Sequence, residues 1–404
     1  MSVTSWMFKL RGNYSPQQGL IFGVLGFLIL LGIWVLVTMG NDPVIEAGIM
    51  PSPSKVFSAY GDLFEDNKLF KNLCLSLGFN FGGYLKAVLI SIPIGFIVGL
   101  YPVMNASFQS PVNAFRFIPL TAITGIFLSA FGIGTSLKMN FLAFGIMIYL
   151  VPIIMQRIKE VQDVYLKTVY TIGATDWQTI RTVYFPAVLS KLSDDIRVLT
   201  AISWTYIIVA EGIGDQGGLG SLVFKAGQRM GRPDKTFAIL LIFILIGLIQ
   251  DRLFVYLDKK FFPHKFQIKD QHSQKLKEDS LFETILDFSF AIGIWLLLAV
   301  YLLLAINEFI PFLGGVKPLN YLFEDTVWVV HVIFLSTIAY KAWSIYETRT
   351  RKASQMASGS GILVADKIEK AANSTDESLS VEEVIQETKD NIESSDSATE
   401  NDEQ

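Results

Sequence analysis

The residues that could do chemistry in this 404-residue chain are few and far apart. Its three histidines are His264, His272 and His331, and its single cysteine is Cys74. A metal site needs three or four such ligands close together, and a disulfide needs two cysteines. The spacing therefore predicts no metal site and no disulfide within the chain. It also lacks the cluster of His, Asp, Glu or Ser that a membrane enzyme would need.

A nucleotide-binding loop is also missing from the sequence. The pattern G-x-x-x-x-G-K-[ST], whose backbone cradles phosphates, occurs nowhere in it. We therefore expect the chain to carry no catalytic residue and to bind no cofactor of its own.

Two charged residues at the edges of apolar runs are the remaining candidates for a chemical role. Arg116 stands near the start of the third run, and Glu211 stands near the end of the fifth. A charge at membrane depth is costly and is by default a candidate for a solute pathway. Equally, a long side chain near an interface can extend its charge into water, and such a charge needs no special role.

The elements that must position these residues are membrane-spanning helices. The chain is 51% hydrophobic and only 17% charged, and it shows no alternating barrel pattern. Because the backbone must satisfy its own hydrogen bonds in lipid, the spans are expected to be helical, which gives an all-α polytopic membrane protein. Eight apolar runs are predicted to be spans, at residues 20–39, 84–101, 112–131, 139–156, 197–213, 236–256, 285–306 and 326–346.

The orientation follows from the positions of Lys and Arg between these runs. They are more frequent in the segments on the side of the N-terminus, which predicts that this side is cytosolic. Both termini and the segment around Gly173 would then lie in the cytosol, in a multi-pass protein of the inner (plasma) membrane. The end of the chain, 347–404, is rich in Asp, Glu and Ser, and we expect it to be a disordered acidic tail.

The segment 161–192 is too polar to span a membrane and carries the signals of a short helix. Thr175 can cap that helix with Gln178 as its capping-box partner, and Asp176 places negative charge in its first turn. Pro186 is expected to end it. Its apolar face is predicted to consist of residues at helical spacing, namely Trp177, Ile180, Val183 and Tyr184.

The order of short motifs resembles that of the inner-membrane permease subunits of ATP-binding-cassette importers. That family carries a cytosolic Glu-Ala-Ala, followed after three residues by Gly and after nine more by Ile-x-Leu-Pro. Gly173, Val183 and Phe185-Pro186 stand at these spacings, whereas Lys167-Thr168-Val169 replaces Glu-Ala-Ala. Other pieces are similar to the nitrate, sulfonate, taurine and bicarbonate branch: Pro51-Ser52-Pro53, Phe131-Gly132-Ile133-Gly134, Gly173 to Gln178, Val209-Ala210-Glu211, Gly218-Leu219-Gly220 and Asp251-Arg252-Leu253.

The resemblance covers about residues 15–262 and implies a type I importer transmembrane domain of six helices. Residues 20–262 would form this domain, with an outer segment at 40–83 and a cytosolic coupling loop at 157–195. The remaining segments would be a cytosolic N-terminus at 1–19, a basic cytosolic linker at 263–284, an extra transmembrane hairpin at 285–346 and the acidic tail at 347–404.

The resemblance also implies a function and partners. The chain would be the permease subunit for a small anionic solute of the nitrate, sulfonate or taurine, or bicarbonate class. ATP and Mg²⁺ would be held by a separate ATPase present in two copies, and the other partners would be a second permease copy, an extracytoplasmic solute-binding protein and membrane lipid, with no nucleic acid. The ATPase contact would be made by Gly173, Ala174, Thr175, Asp176, Trp177, Gln178, Ile180 and Pro186.

Other classes of protein remain open from the residues alone. A secondary transporter would need ionisable groups at mid-membrane and internal repeats, of which the sequence gives little sign. A membrane enzyme or a scaffold built on the acidic tail are further alternatives. The apolar face with Trp177 and Ile180 could also pack on the protein's own spans instead of on an ATPase.

Overall fold

The computed structural model describes residues 16–40, 43–214, 217–263, 265, 281–310, 317–343, 346 and 350. Most of the predicted N-terminal segment, most of the linker and almost all of the acidic tail lie outside these residues. Every regular element described is helical: α1 Pro16–Thr38, α2 Pro53–Glu65, α3 Leu69–Leu100, α4 Pro102–Phe115, α5 Thr124–Phe131, α6 Thr135–Lys159, α7 Asp163–Thr171, α8 Asp176–Thr179, α9 Phe185–Gly212, α10 Leu219–Phe224, α11 Pro233–Phe261, α12 Leu281–Phe309, α13 Pro318–Phe323 and α14 at 327–343.

The spans agree with the apolar runs in most places. Six described helices are long and apolar enough to cross a membrane, or seven if one bent pair counts as a span. The predicted run 197–213 lies in α9, a helix of 28 residues. α9 is not one of these six helices because it carries several charged residues. Most of these charges are paired within the protein.

The outer segment predicted at 40–83 is shorter than expected. The predicted span 84–101 is only the second part of α3, one continuous helix of 32 residues that already begins at Leu69. Gly83 does not break α3 because it serves close packing: a Cβ there would lie 2.8 Å from a methyl group of Leu142 in α6. Gly95 likewise faces Ile154, so α3 and α6 run side by side in the same direction.

The third span is broken and does not form the single helix predicted at 112–131. α4 and the helical stretch Leu120–Phe131 meet at an angle of 92°. Pro119 explains the break, because proline removes a backbone donor and disfavours helical geometry in the residue before it. Leu120 packs beside Gly145 near the middle of α6, so the break lies well inside the bundle and not at its end.

The bundle has two ends, which we name by their loops. The loop end carries residues 160–184, and the far end carries residues 66–69 and 213–220. α3, α6 and α11 run from the far end to the loop end, and α9 runs back between them. The chain divides into two compact units, Met1–His331 and Val332–Gln404, and the described part of the second is helical.

Candidate functional site

The loop around Gly173 has the helix–glycine–helix shape that the sequence predicts. Gly173 has φ +83°, a conformation that glycine adopts without strain. Its N–H donates to the carbonyl of Tyr170 at 3.0 Å, which closes the end of α7. The next helix then starts with the expected capping box: Thr175 N donates to Gln178 Oε1 at 2.8 Å, and Gln178 N donates to Thr175 Oγ1 at 3.4 Å.

Pro186 does not end this helix, contrary to the prediction. α8 continues through a π-helical turn, Ile180–Tyr184, directly into α9. In the π turn the N–H of Phe185 donates to the carbonyl of Ile180, five residues back. This wider turn, together with the position of Pro186 in the first turn of α9, accommodates a residue without an N–H donor. The capped end at Thr175 is therefore joined to a membrane helix without a loop between them.

The predicted apolar face is split between two environments. Trp177 is 71% exposed, whereas Ile180, Val183 and Tyr184 are partly buried. Tyr184 packs on the protein's own core, so the alternative in which this face is internal holds for the second half of the helix. The side chain that joins Trp177 at the surface is Ile172, which is 80% exposed. Sequence reasoning missed Ile172, although an apolar residue next to a helix-ending glycine is a signal for such exposure.

An ion-pair cluster joins α9 to α6 just below this loop. Arg157 holds Asp195 by two hydrogen bonds, Nε to Oδ2 at 2.7 Å and Nη2 to Oδ1 at 2.8 Å. Its Nη1 also donates to Glu160 at 2.8 and 3.0 Å, and Lys191 reaches the same carboxylate at 3.1 Å. The hydrogen bond from Arg157 lowers the pKa of Glu160 below its ordinary value. The spacing of these charges along the sequence gives no sign of their pairing.

A second cluster joins α9 to α11 at the same end. Arg197 binds Asp251 with Nε–Oδ1 2.5 Å and Nη2–Oδ2 2.9 Å. Ser193 donates to Asp258 at 2.6 Å, and Lys265 bridges Asp258 at 3.1 Å. The charges that make α9 too polar for an apolar span are thus matched with partners on its neighbours.

Glu211 lies near the end of α9, as predicted, at the far end of the bundle, but its side chain is fully buried in the protein and does not extend into water. Its carboxylate accepts hydrogen bonds from Ser76 Oγ at 2.7 and 2.9 Å and from Gly220 N at 2.7 Å. A Cβ on Gly218 would overlap this carboxylate, so the Gly218-Leu219-Gly220 motif is shaped around it. Lys138 lies in the same region, 1% exposed, and donates to the carbonyl of Gly217 at 3.2 Å.

These contacts give Glu211 a structural role. Two donors, the Ser76 hydroxyl and the Gly220 N–H, fix its carboxylate, as a buried charge requires. It thereby holds the loop after α9 against α3. Neither Ser76 nor Lys138 was foreseen, because a serine and a lysine inside apolar helices have no motif of their own.

Arg116 lies in the break between α4 and α5 and is exposed. Its Nη2 donates to Asn113 Oδ1 at 3.1 Å. Phe115 and Phe117 beside it are 47% and 85% exposed. Arg116 therefore lies at the break of this bent helix pair, on an exposed face of the subunit.

Among the described residues, no group of three or more His, Cys, Asp or Glu side chains lies close enough to hold a metal ion. His331 is hydrogen-bonded to Tyr301 at 2.8 Å. Cys74 is buried, and His264 and His272 lie outside the described residues.

Comparison with known proteins identifies the fold. The family model described as "Binding-protein-dependent transport system inner membrane component" matches residues 91–263, which include the broken span, the Gly173 loop, α9 and α11. Over these residues the chain matches the permeases of this family. It is the permease subunit of an ATP-binding-cassette importer, a class in which the ATPase and the solute-binding protein are separate components.

Curated relatives match about three fifths of the chain. The putative aliphatic sulfonates transport permease SsuC of Bacillus subtilis is 26% identical over 253 residues, which are 62% of this chain and 88% of that protein. The taurine transport permease TauC of Escherichia coli is 26% identical over 247 residues, 60% of this chain and 88% of that protein. The bicarbonate transport permease CmpB of Synechocystis is 26% identical over 276 residues, 63% and 91%.

A chain of the solved MetNI methionine transporter is 18% identical, with a TM-score of 0.43 over 46% of this chain and 92% of that chain. The family match ends at residue 263, so α12, α13 and α14 of this permease lie beyond it.

Proposed function

We propose that this permease contacts its ATPase through the Gly173 loop and moves a small anionic solute. The observation that carries the contact is the exposed pair Ile172 and Trp177 on a capped helix end. Large apolar side chains fully exposed at a rigid, polar helix end are typical anchors of a protein interface, where Trp is the commonest energetic hot spot.

The path of force from this contact follows from the continuous helix. A push on α8 reaches α9 through the π turn without crossing a flexible loop. From α9 it reaches α6 through Arg157–Asp195 and α11 through Arg197–Asp251. The two ion pairs link α6, α9 and α11, so that these three spans move together. A packed unit with two stable arrangements can be shifted from one to the other by a ligand that binds elsewhere.

The assembly proposed around this subunit has two ATPases and two permease copies. In this assembly the chain itself has no catalytic site, and ATP with Mg²⁺ is held by the ATPases. The Gly173 loop and both termini face the cytosol, because the basic segments lie on that side. One copy contributes six core spans, so a homodimer completes a pathway between subunits. Arg116, exposed at the break in the third span, is the candidate that faces this pathway.

The solute class rests on the relatives. The names of SsuC, TauC and CmpB specify aliphatic sulfonates, taurine and bicarbonate, which share an anionic oxygen group. We propose that this permease takes a solute of the same kind from an extracytoplasmic binding protein that docks at the far end. A guanidinium such as that of Arg116 suits such an oxyanion because it offers two parallel donors.

The test of the ATPase contact is co-purification with the ATPase encoded beside this chain. Gly173→Pro changes the turn and Trp177→Asp changes the anchor, and both should abolish recovery of the complex. Trp343→Asp is the matched control, since Trp343 is 60% exposed but lies outside the loop. Unchanged recovery with both loop variants would refute the contact.

A further inference from the structure

A cavity of about 500 Å³ opens at the far end of the bundle, between the permease core and the C-terminal hairpin. We call it the vestibule. The core lines it with the start of α3, Thr135 at the start of α6, and the loop from Gly217 to Lys225. The hairpin supplies the opposite wall, at the turn that carries Glu324 and Asp325. A cavity of this size is large enough for a small organic solute.

The two walls of the vestibule carry opposite charge. Among the described residues that line it, the core side has Lys68, Lys71 and Lys225 and one carboxylate, that of Asp66. The hairpin side adds the carboxylates of Glu324 and Asp325. Within this described lining the three lysines exceed the core carboxylate by two, and the two hairpin carboxylates balance that excess. The hairpin therefore neutralises a basic surface of the core.

The hairpin carboxylates bind hydrogen-bond donors on the core wall. Glu324 Oε1 lies 2.7 Å from Lys71 Nζ, and Thr135 Oγ1 donates to Asp325 Oδ2 at 3.0 Å. An ammonium group and a hydroxyl that converge on carboxylate oxygens would bind a sulfonate, phosphate or carbonate oxygen in the same way.

The backbone of two residues that line the vestibule has an unusual conformation. In the described part of the chain, only two non-glycine residues have positive φ, Lys68 at 47° and Glu324 at 45°. Both line the vestibule, one on each wall. Such conformations are costly for residues with a Cβ and persist where the surroundings impose them, often at binding sites.

The hairpin is fixed in this position by close packing on α3. Thr326 and Val329 are buried against Gly78 and Gly82, one helical turn apart on α3. A Cβ on Gly78 would overlap the Thr326 side chain, and one on Gly82 would lie 2.9 Å from a methyl group of Val329. By contrast, the ion pair between Lys71 and Glu324 is partly accessible to solvent, with side-chain exposures of 24% for Lys71 and 47% for Glu324. The packing on α3 holds the hairpin in place, whereas an anion can displace the Glu324 carboxylate from Lys71.

We propose that the core wall of the vestibule is an oxyanion-binding site and that Glu324 and Asp325 are its built-in competitors. The hairpin then limits how tightly an anion can bind at the far end of the permease. This inference deepens the proposed function, since it rests on an anionic solute arriving at that end. It gives the hairpin, which lies outside the family match, a regulatory task.

The experiment is equilibrium binding to the purified full-length chain in neutral detergent, measured by calorimetry. The probes are ethanesulfonate and a short-chain phosphatidylglycerol. The combined variant Glu324→Gln with Asp325→Asn removes both charges and keeps the side-chain shapes. It should bind an oxyanion about tenfold more tightly than the natural sequence, because Lys71 gains an unopposed charge. Lys71→Gln added to this variant should remove the gain.

The control is Glu46→Gln with Glu65→Gln, which removes two exposed carboxylates outside the vestibule. A gain for ethanesulfonate identifies a free anion as the ligand, and a gain confined to the lipid identifies a headgroup; both support the site. No gain in the vestibule variant, an equal gain in the control, or a gain that survives Lys71→Gln would overturn it. The assay contains no ATPase, so its result is independent of the ATPase contact at the Gly173 loop.

Discussion

Arg157 at the end of α6 binds Asp195 in α9 through two parallel hydrogen bonds of 2.7 and 2.8 Å. The same guanidinium holds Glu160, the residue after α6, at 2.8 Å. A planar group with five donors joins these two carboxylates as a lysine could not. This joint lies where the helix that starts at Thr175 enters the membrane, so it is where movement of the Gly173 loop would reach α6.

Arg157→Lys should uncouple the permease without releasing its ATPase. Lysine keeps the charge but loses the bidentate geometry, so α9 can slip relative to α6. We expect complex recovery to stay unchanged while solute uptake per ATP hydrolysed falls about tenfold, which corresponds to roughly 1.4 kcal/mol. Lys191→Gln, which removes a single contact to Glu160, is the milder control. A proportional fall in ATPase binding would instead mean that Arg157 only supports the loop.

The Glu160 contact should appear in the pH dependence of stability. Its pKa is lowered in the folded protein, first by the hydrogen bond from Arg157. Its contribution is therefore present above the ordinary glutamate pKa of 4.5 and is lost as the pH falls through the lower folded value. The melting temperatures of the natural protein and Glu160→Gln should differ at pH 6 and converge as the pH falls below the lowered pKa of Glu160. A difference that widens on acidification would contradict this assignment.

Gly218 should be intolerant of a side chain for two separate reasons. It has φ +104°, and a Cβ would overlap the carboxylate of Glu211. Gly231 has φ +60° but open space around it, so Gly231→Ala measures backbone strain alone. We expect Gly231→Ala to cost about 1–2 kcal/mol and Gly218→Ala to cost a further ~1–3 kcal/mol from overpacking. Equal losses in thermal unfolding would show that Glu211 is not fixed as described.

Pro186→Ala should separate stability from coupling. With an N–H at position 186, the π turn at 180–184 can return to α-helical geometry, which removes the extra residue of that turn. Thermal stability should be kept or rise slightly, because the chain gains a backbone donor. Trp177 would then point about 100° away from its present direction, given the rotation of one residue in a helix. Recovery of the ATPase complex should fall, and full recovery would show that the π turn is unimportant.

The sequence was informative where the signal is local. The capping box of Thr175 and Gln178 needs only neighbouring residues, and it is present as predicted. Most spans were also predictable, because hydrophobic length is a property of the segment itself.

The remainder depends on contacts between distant parts of the chain. The burial of Glu211 was not predicted, because the sequence does not show that Ser76, 135 residues earlier, faces it. The seating of the hairpin on Gly78 and the pairing of Arg157 with Asp195 are likewise set by packing. Pro186 was misjudged because its usual effect on a helix is avoided by the π turn before it.

The most direct test of the central claim is the affinity of the purified permease for its ATPase, with and without the Trp177 side chain. Trp177→Ala should weaken binding by at least about 30-fold, the 2 kcal/mol or more typical of a tryptophan anchor. Trp343→Ala, an exposed tryptophan outside the loop, should leave the dissociation constant unchanged. If Trp177→Ala binds the ATPase as tightly as the natural sequence, the Gly173 loop is not the contact.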